Sequence, residues 1–163
     1  MTRSNRTLTQ FVVDRIEYSL THGAKAVGHS KAGNTEVLAD TCECCDVDGT
    51  APLRPNHLVV RLYGKTIMRI FYNPLNECQI LGFMMATGDF YDSKGRPSRT
   101  TRERLNGILD ALGEARFIPE GVRVFIKPED GQCYLGKGDA ARVFNAQSPR
   151  LIVLAHPTEL LYS

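Results

Sequence analysis

The sequence predicts an α+β fold in which two main helices pack on an antiparallel sheet of about five to seven strands built from hairpins. Two stretches repeat apolar residues at the three- and four-residue spacing of an amphipathic helix. Several shorter apolar or alternating runs are separated by turn-forming residues, as in β-hairpins. Helices and strands do not alternate as they do in βαβ units, so an antiparallel sheet with helices on one face is favoured.

The chain of 163 residues is predicted to form a single domain over residues 1–163. Within it we expect an amino-terminal helix over about residues 8–22 and a core region over about residues 33–155. A chain of this length buries roughly 70% of its unfolded surface, which is enough for one hydrophobic core. The composition, with 42% hydrophobic and 23% charged residues, is typical of a globular protein and argues against extended disorder.

The first predicted element is the amino-terminal helix, which Gly23 can end. Its apolar residues lie three or four positions apart and share one stripe: Leu8, Phe11, Val12, Ile16 and Leu20. Residues 25–34 are rich in Gly, Ala and Ser and are predicted to form a loop. Residues 35–39 suit a short strand, and the polar, Cys-rich residues 40–56 contain several breakers of regular structure.

Three consecutive strands are predicted next, as a meander. Residues 57–63 alternate in hydrophobicity, and Gly64-Lys65 separates them from residues 66–72, so the two runs are predicted to form a hairpin. A turn at Asn73-Pro74 leads to a third strand over residues 78–86. The Gly- and Pro-containing residues 87–98 are expected to be a loop.

A second helix is predicted over about residues 101–112. Thr100 and Glu103 have the spacing of a capping box, and Gly113 can end the helix. Its apolar stripe consists of Leu105, Ile108, Leu109 and Leu112.

The remainder of the chain is predicted to be β-structure. A strand over residues 122–127, a turn over 128–131 and a strand over 132–135 form a hairpin. A last strand covers residues 151–155 and precedes a short tail.

No motif typical of an active site or a cofactor site is found in the sequence. The four histidines lie in four different contexts, and none belongs to a recognisable pairing with a nucleophilic Cys. The Gly-Lys-Gly run at residues 136–138 lacks the glycine spacing and the following Ser or Thr of a nucleotide-binding loop. The chain is therefore predicted not to be an enzyme and to use no cofactor.

Three of the five cysteines form a local cluster, Cys42, Cys44 and Cys45. Structural zinc sites pair their ligands as C-x2-C to C-x4-C, whereas C-x-C-C crowds three thiols where a tetrahedral site takes two. Reduced thiols without a metal are favoured, and a site for a soft metal ion is the alternative.

A group of basic residues is the best candidate for a binding site, and it covers the loop before the second helix and the beginning of that helix: Lys94, Arg96, Arg99, Arg102 and Arg104. The helix dipole places positive partial charge at this end, so each exposed cation there is unfavourable by about 0.3–1 kcal/mol. Helix N–H groups and several guanidinium groups together suit a phosphate or an acidic protein surface. A solvated loop, partly neutralised by Glu103 and Asp92, is the alternative.

Several segments of the chain match one known pattern, and they stand at residues 33–35 (G-N-T), 60–67 (V-R-L-Y-G-K-T-I), 99–106 (R-T-T-R-E-R-L-N), 122–125 (V-R-V-F) and 133–135 (C-Y-L). Together they resemble a family of small uncharacterised proteins of tailed bacteriophages that has a V-R-L-x-G strand and an R-T-T-x-x-R-L-N helix start. The resemblance covers roughly residues 33–153. Tyr63 stands where the family usually has His, no Trp precedes Arg99, and the loop between strand and helix is unusually long.

The resemblance implies a phage protein that acts in the cytoplasm of the infected bacterial host, and it supplies no catalytic residues. The favoured function is that of a non-catalytic accessory protein that binds and inhibits a host macromolecule. The expected partner is a host protein or ribonucleoprotein, for example a defence complex, as in anti-CRISPR action.

A direct nucleic-acid-binding protein and a virion structural or assembly component are the two alternatives. A net charge of +2 is mild for a nucleic-acid-binding protein. No apolar run approaches the roughly 20 residues that span a bilayer, so no membrane partner is expected. The sequence leaves the oligomeric state open.

Overall fold

A computed structural model describes residues 3–40, 57–73, 76–85, 96–143, 151–156 and 159–162. Within these ranges two α-helices and two antiparallel sheets confirm the predicted α+β fold. The elements in chain order are α1 Arg3–His22, β1 His29–Ala32, β2 Thr35–Asp40, β3 His57–Leu62, β4 Lys65–Asn73, β5 Asn76–Met85, α2 Arg99–Glu114, β6 Arg123–Ile126, β7 Cys133–Gly136, β8 Arg142–Val143, β9 Leu151–His156 and β10 Glu159–Tyr162.

The larger sheet contains seven of the described strands in the order β1-β2-β3-β4-β5-β9-β10, and every neighbouring pair is antiparallel. The smaller sheet has the order β6-β7-β8 and follows α2 in the chain. Helix α1 contacts α2 and strands β1, β2 and β5, whereas α2 contacts β4 and β6. Helix α2 therefore lies between the two sheets and positions the smaller one.

The hydrophobic core joins both helices to both sheets. The apolar stripe predicted for α2 is buried, with Leu105, Ile108, Leu109 and Leu112 no more than 1% exposed. The same apolar cluster includes Ile16 of α1, Leu58 of β3 and Val124 of β6. Burying a large aliphatic side chain stabilises the fold by about 1.5–3 kcal/mol, so these contacts hold the smaller sheet against α2.

Three strands lie where none was predicted, and one of them is the two-residue strand β8, which pairs with β7. Residues 29–32, predicted as part of a loop, form β1, which pairs with β2 through a turn at Gly33-Asn34. The side chains of β1 are exposed or half-buried and show no apolar alternation, so backbone pairing with β2 decides their conformation. Residues 159–162, predicted as a tail, form β10 against β9.

The turn between β3 and β4 lies one residue earlier than predicted, at Tyr63-Gly64 instead of Gly64-Lys65. Both turn residues have positive φ, 51° for Tyr63 and 75° for Gly64, as the central residues of a type I′ hairpin turn require. Tyr63 is 68% exposed at this tip. Its backbone N–H donates to the carbonyl of Asn34 at 2.8 Å, which joins the two neighbouring turns.

Helix α2 begins two residues earlier than predicted, and Thr100 is not its cap. The N-cap is Ser98, whose hydroxyl oxygen accepts a hydrogen bond from the N–H of Thr101 at 3.3 Å. Glu103 does not reach back to the helix start as in a capping box. Its carboxylate instead accepts hydrogen bonds from Arg99 and from Asn5 of α1, each at 3.3 Å.

Candidate functional site

A surface groove of about 320 Å³ runs along α2 beside β6. The groove is lined by residues three or four positions apart on the helix, together with one residue of β6: Arg99, Arg102, Glu103, Asn106, Asp110 and Arg123. We call this the α2 groove. It lies on the side of α2 where the first turn carries the basic residues, so the predicted surface and the groove coincide at Arg99 and Arg102.

The position of β6 in the groove wall depends on Asn106. Its side-chain NH2 donates to the carbonyl of Val124 at 2.8 Å, and its side-chain oxygen accepts from the N–H of Val124 at 2.7 Å. The amide therefore pairs with β6 in the way a neighbouring strand would. One turn further along α2, Asp110 forms an ion pair with Arg123, with 3.3 Å between the carboxylate oxygen and Nε. These two contacts place Arg123 in the wall of the groove that Arg99 and Arg102 also line.

The charge of the groove is positive. Three guanidinium groups face two carboxylates, which form the pairs Arg99–Glu103 and Arg123–Asp110. The side chain of Arg99 is 86% exposed, and exposed ion pairs contribute only about 0–1 kcal/mol to stability. Arg99 and Arg123 can therefore exchange their carboxylate partners for a bound anion. In the part of the chain that the structure describes, Arg102 forms no ion pair.

The helix end adds to this charge. The first turn of α2 contains no acidic residue, so no side chain of that turn neutralises the positive end of the helix. Burial acts to raise the pKa of Glu103, but the hydrogen bonds from Arg99 and Asn5, together with nearby positive charge, outweigh it and lower that pKa below its ordinary value. The carboxylate is thus ionised and already occupied by its donors. The groove can accordingly bind a phosphate or a carboxylate of a partner.

Arg104 does not belong to this surface, although it was predicted together with Arg99 and Arg102. The residue is 1% exposed. Its guanidinium group donates to Asn5 of α1 at 2.7 Å and to Thr35 of β2 at 2.6 Å. Burial lowers its pKa, and the nearby Tyr63 acts in the opposite direction. Arg104 therefore joins α1, α2 and β2 inside the fold.

The other two predicted basic residues are placed differently. Arg96 is half-buried, and its guanidinium group donates to the carbonyl of Gly131 at 3.5 Å, in the turn between β6 and β7. Lys94 lies outside the described residues. The groove also uses Arg123 and Asn106, which the sequence did not single out, because only the packing of β6 on α2 brings them to the helix.

The cysteine cluster Cys42, Cys44 and Cys45 lies outside the described residues. Cys133 of β7 is buried. Among the residues that the structure describes, no group of three or more His, Cys, Asp or Glu side chains is placed to hold a metal ion.

A polar cluster lies on the larger sheet where β2, β3 and β4 are neighbours. Arg69 donates to the Nε2 atom of His57 at 3.0 Å, and its guanidinium group lies 3.5 Å from the Asp40 carboxylate. Burial and the charge of Arg69 lower the pKa of His57, while Asp40 acts to raise it. His57 is 2% exposed and stacks on Phe71. A neutral imidazole in this position supports the sheet and is not accessible to a substrate.

Neither helix in the described ranges combines the length and the apolar character needed to cross a membrane. Comparison with protein-family models, with curated proteins and with solved structures finds no match to this chain.

Proposed function

We propose that this chain is a non-catalytic accessory protein of a bacteriophage that binds a host macromolecule through the α2 groove. The observation that carries the proposal is that Arg99, Arg102 and Arg123 line one groove, which begins at the positive end of α2 and runs along the helix. Guanidinium groups bind phosphate and carboxylate through paired hydrogen bonds, and the helix end supplies further positive charge. A partner with a dense negative surface suits this groove.

A host ribonucleoprotein or nucleic-acid-processing defence complex, bound in the cytoplasm of the infected bacterium, is such a partner. Covering its anionic surface, or the nucleic acid that it carries, would inhibit it in the manner of an anti-CRISPR protein. The resemblance to tailed-phage proteins supports the phage setting.

A pull-down from host lysate with the double variant Arg99→Glu and Arg102→Glu tests the proposal. The matched control is Arg6→Glu with Lys25→Glu, which makes the same change of charge at two exposed positions of α1 and the following turn. We expect the groove variant to lose the partner and the control to retain it.

The folding of the groove variant can be checked separately, because acidic residues in the first turn of a helix are favourable. Capture of the partner by the groove variant as well as by wild type would remove the α2 groove from the proposal. Stoichiometric recovery of the protein in purified virions, with no host partner captured, would favour an assembly role instead.

A further inference from the structure

The smaller sheet has a second face that the core does not use. Alternation along β6 places Val124 in the core, where it is 2% exposed, and turns Arg123 and Phe125 to the opposite side. Lys127, which directly follows the strand, lies on that side as well. The strand pairing extends this side, because Tyr134 of β7 lies opposite Phe125 and Val143 of β8 lies opposite Tyr134. We call these five residues the aromatic face.

The side chains of the aromatic face form a stacked arrangement. The rings of Phe125 and Tyr134 have centroids 5.7 Å apart and planes inclined by 15°. The ammonium group of Lys127 lies 4.2 Å from the centroid of the Tyr134 ring. The Tyr134 hydroxyl donates to Asp130 at 2.5 Å, which holds its ring in place. Val143 continues the apolar surface and is 41% exposed.

Folding alone does not require this surface. A three-stranded sheet that packs one face on a helix needs only that face to be apolar, and its other face is ordinarily polar. Here the outer face carries two aromatic rings and a valine, with a cation at each end of β6. Phe125 and Tyr134 are half-buried and Val143 is 41% exposed, so part of this apolar surface is accessible to a ligand.

The aromatic face is continuous with the α2 groove. Arg123 belongs to both, because it lines the groove and also precedes Phe125 by two positions on the same side of β6. A partner that contacts Arg99 and Arg102 in the groove therefore reaches the aromatic rings by passing Arg123. Cations on one side and stacked rings on the other match a ligand in which charged and flat aromatic groups alternate.

We propose that the α2 groove and the aromatic face together bind single-stranded nucleic acid. Phosphates lie in the groove along Arg99, Arg102 and Arg123, and unpaired bases stack on Phe125 and Tyr134. Stacking on aromatic side chains combined with a cationic groove is how proteins bind single strands without sequence preference. In a duplex the base faces are stacked on neighbouring base pairs and cannot stack on the two rings. The inference rests on the proposed function and names the chemistry of the partner of that groove.

Fluorescence anisotropy with labelled 12-residue oligouridylate, oligothymidylate and a DNA duplex tests the inference. We expect the single strands to bind more tightly than the duplex at about 50 mM salt. If the three arginines each contact one phosphate, the slope of log K against log salt is about −2. The two oligonucleotides distinguish RNA from DNA as the preferred single strand.

Variants of Phe125 separate stacking from charge. Phe125→Leu keeps an apolar side chain but removes the ring, and we expect the single strand to bind on the order of tenfold more weakly. Phe125→Trp keeps an aromatic ring at this position and should bind the single strand as well as wild type does. The chain contains no Trp, so Trp fluorescence of this variant reports on position 125 alone. We expect that fluorescence to be quenched when a base of the oligonucleotide stacks on the indole. Tyr18→Leu is the matched control, since it removes a ring that is 39% exposed on α1.

Absence of binding to either oligonucleotide at low salt would overturn the inference, and so would wild-type affinity of Phe125→Leu. The inference would also be overturned if the duplex bound as tightly as the single strands and its affinity were unchanged in Phe125→Leu. If the oligonucleotides fail to bind while Arg99→Glu with Arg102→Glu still abolishes capture of a host partner, the inference fails and the proposed function stands. If the oligonucleotides bind and are lost in the groove variant, both are supported.

Discussion

Replacing Asn106 by alanine tests how β6 is held against α2. The Asn106 amide supplies both hydrogen bonds to the backbone of Val124, and alanine removes both. Val124 is 2% exposed, so its N–H and carbonyl groups do not recover full hydration in the folded protein. We expect Asn106→Ala to lower the free energy of unfolding. It should also weaken the ion pair between Arg123 and Asp110 and partner binding at the α2 groove, because both depend on the position of β6.

The size of the effect follows from these two groups. A buried polar group that loses its partner costs about 1–3 kcal/mol. Two groups give an upper limit of about 6 kcal/mol, but Asn106 is only partly buried and water can approach from the groove, so we expect about 2–3 kcal/mol. That is a large fraction of the roughly 5–15 kcal/mol by which proteins of this kind are stable.

Urea unfolding followed by circular dichroism at pH 7 measures this loss. Gln10→Ala is a suitable control, because it removes an exposed amide that bonds only to Asp14 within the same helix, and such a change is expected to stay within about 0.5 kcal/mol. A loss for Asn106→Ala that is no larger than that of the control would refute the reasoning.

The variant Asn106→Asp gives an independent test through pH. A carboxylate can still accept from the N–H of Val124, but its second oxygen would face the carbonyl of Val124. The protonated form can donate to that carbonyl, so the folded state raises the pKa of Asp at this position above the ordinary value of about 3.9. The stabilisation is therefore fully present below the unfolded pKa and is lost as pH rises through the folded pKa. Equal stability relative to wild type at pH 4 and pH 7 would contradict the proposed pairing with Val124.

Three further predictions concern single residues. Arg102→Glu should raise the free energy of unfolding by about 0.5–1 kcal/mol in urea, because an acid replaces a cation at the helix start, while it weakens partner binding. Arg104→Met should lower it by about 2–4 kcal/mol, because Asn5 and Thr35 lose a buried donor, and should leave the affinity for the partner unchanged in the pull-down. The pKa of His57 is lowered from 6.5 in the folded protein, so the unfolded chain takes up the proton first and stability should fall as pH drops below about 6.5. His57→Phe should reduce this dependence in urea titrations at pH 7.5, 6.5 and 5.5.

Both helices and the β3–β4 and β6–β7 hairpins could be predicted from the sequence, because each buries an apolar set whose period identifies the element. Strand β1 could not, since His29, Ser30 and Lys31 bury no apolar stripe and the strand exists through its backbone pairing with β2. The beginning of α2 was misplaced for a related reason. Ser98 and Thr100 are both good caps by residue type, and the chain geometry before the helix decides between them.

Only the part of the candidate site formed by residues close together in the sequence could be predicted. Arg99 and Arg102 are three positions apart and share a helix face. Arg104 lies four positions before Ile108 and falls on the apolar stripe, a spacing that indicates burial at about 3.6 residues per turn. Its partners Asn5 and Thr35 are distant in sequence, and nothing in the sequence relates them to it.

The motif R-T-T-R-E-R-L-N at residues 99–106 therefore serves two purposes. Arg104, Leu105 and Asn106 fix α2 to α1, to the core and to β6, so a chain needs them to build this fold whatever it binds. Arg99 and Arg102 contribute little to the fold and face the groove. A resemblance carried by the second half of the motif thus indicates shared structure, whereas a shared partner would require matching residues at Arg99, Arg102, Arg123 and Phe125. Proteins that share the fold but differ at those four positions should fold equally well and bind different partners.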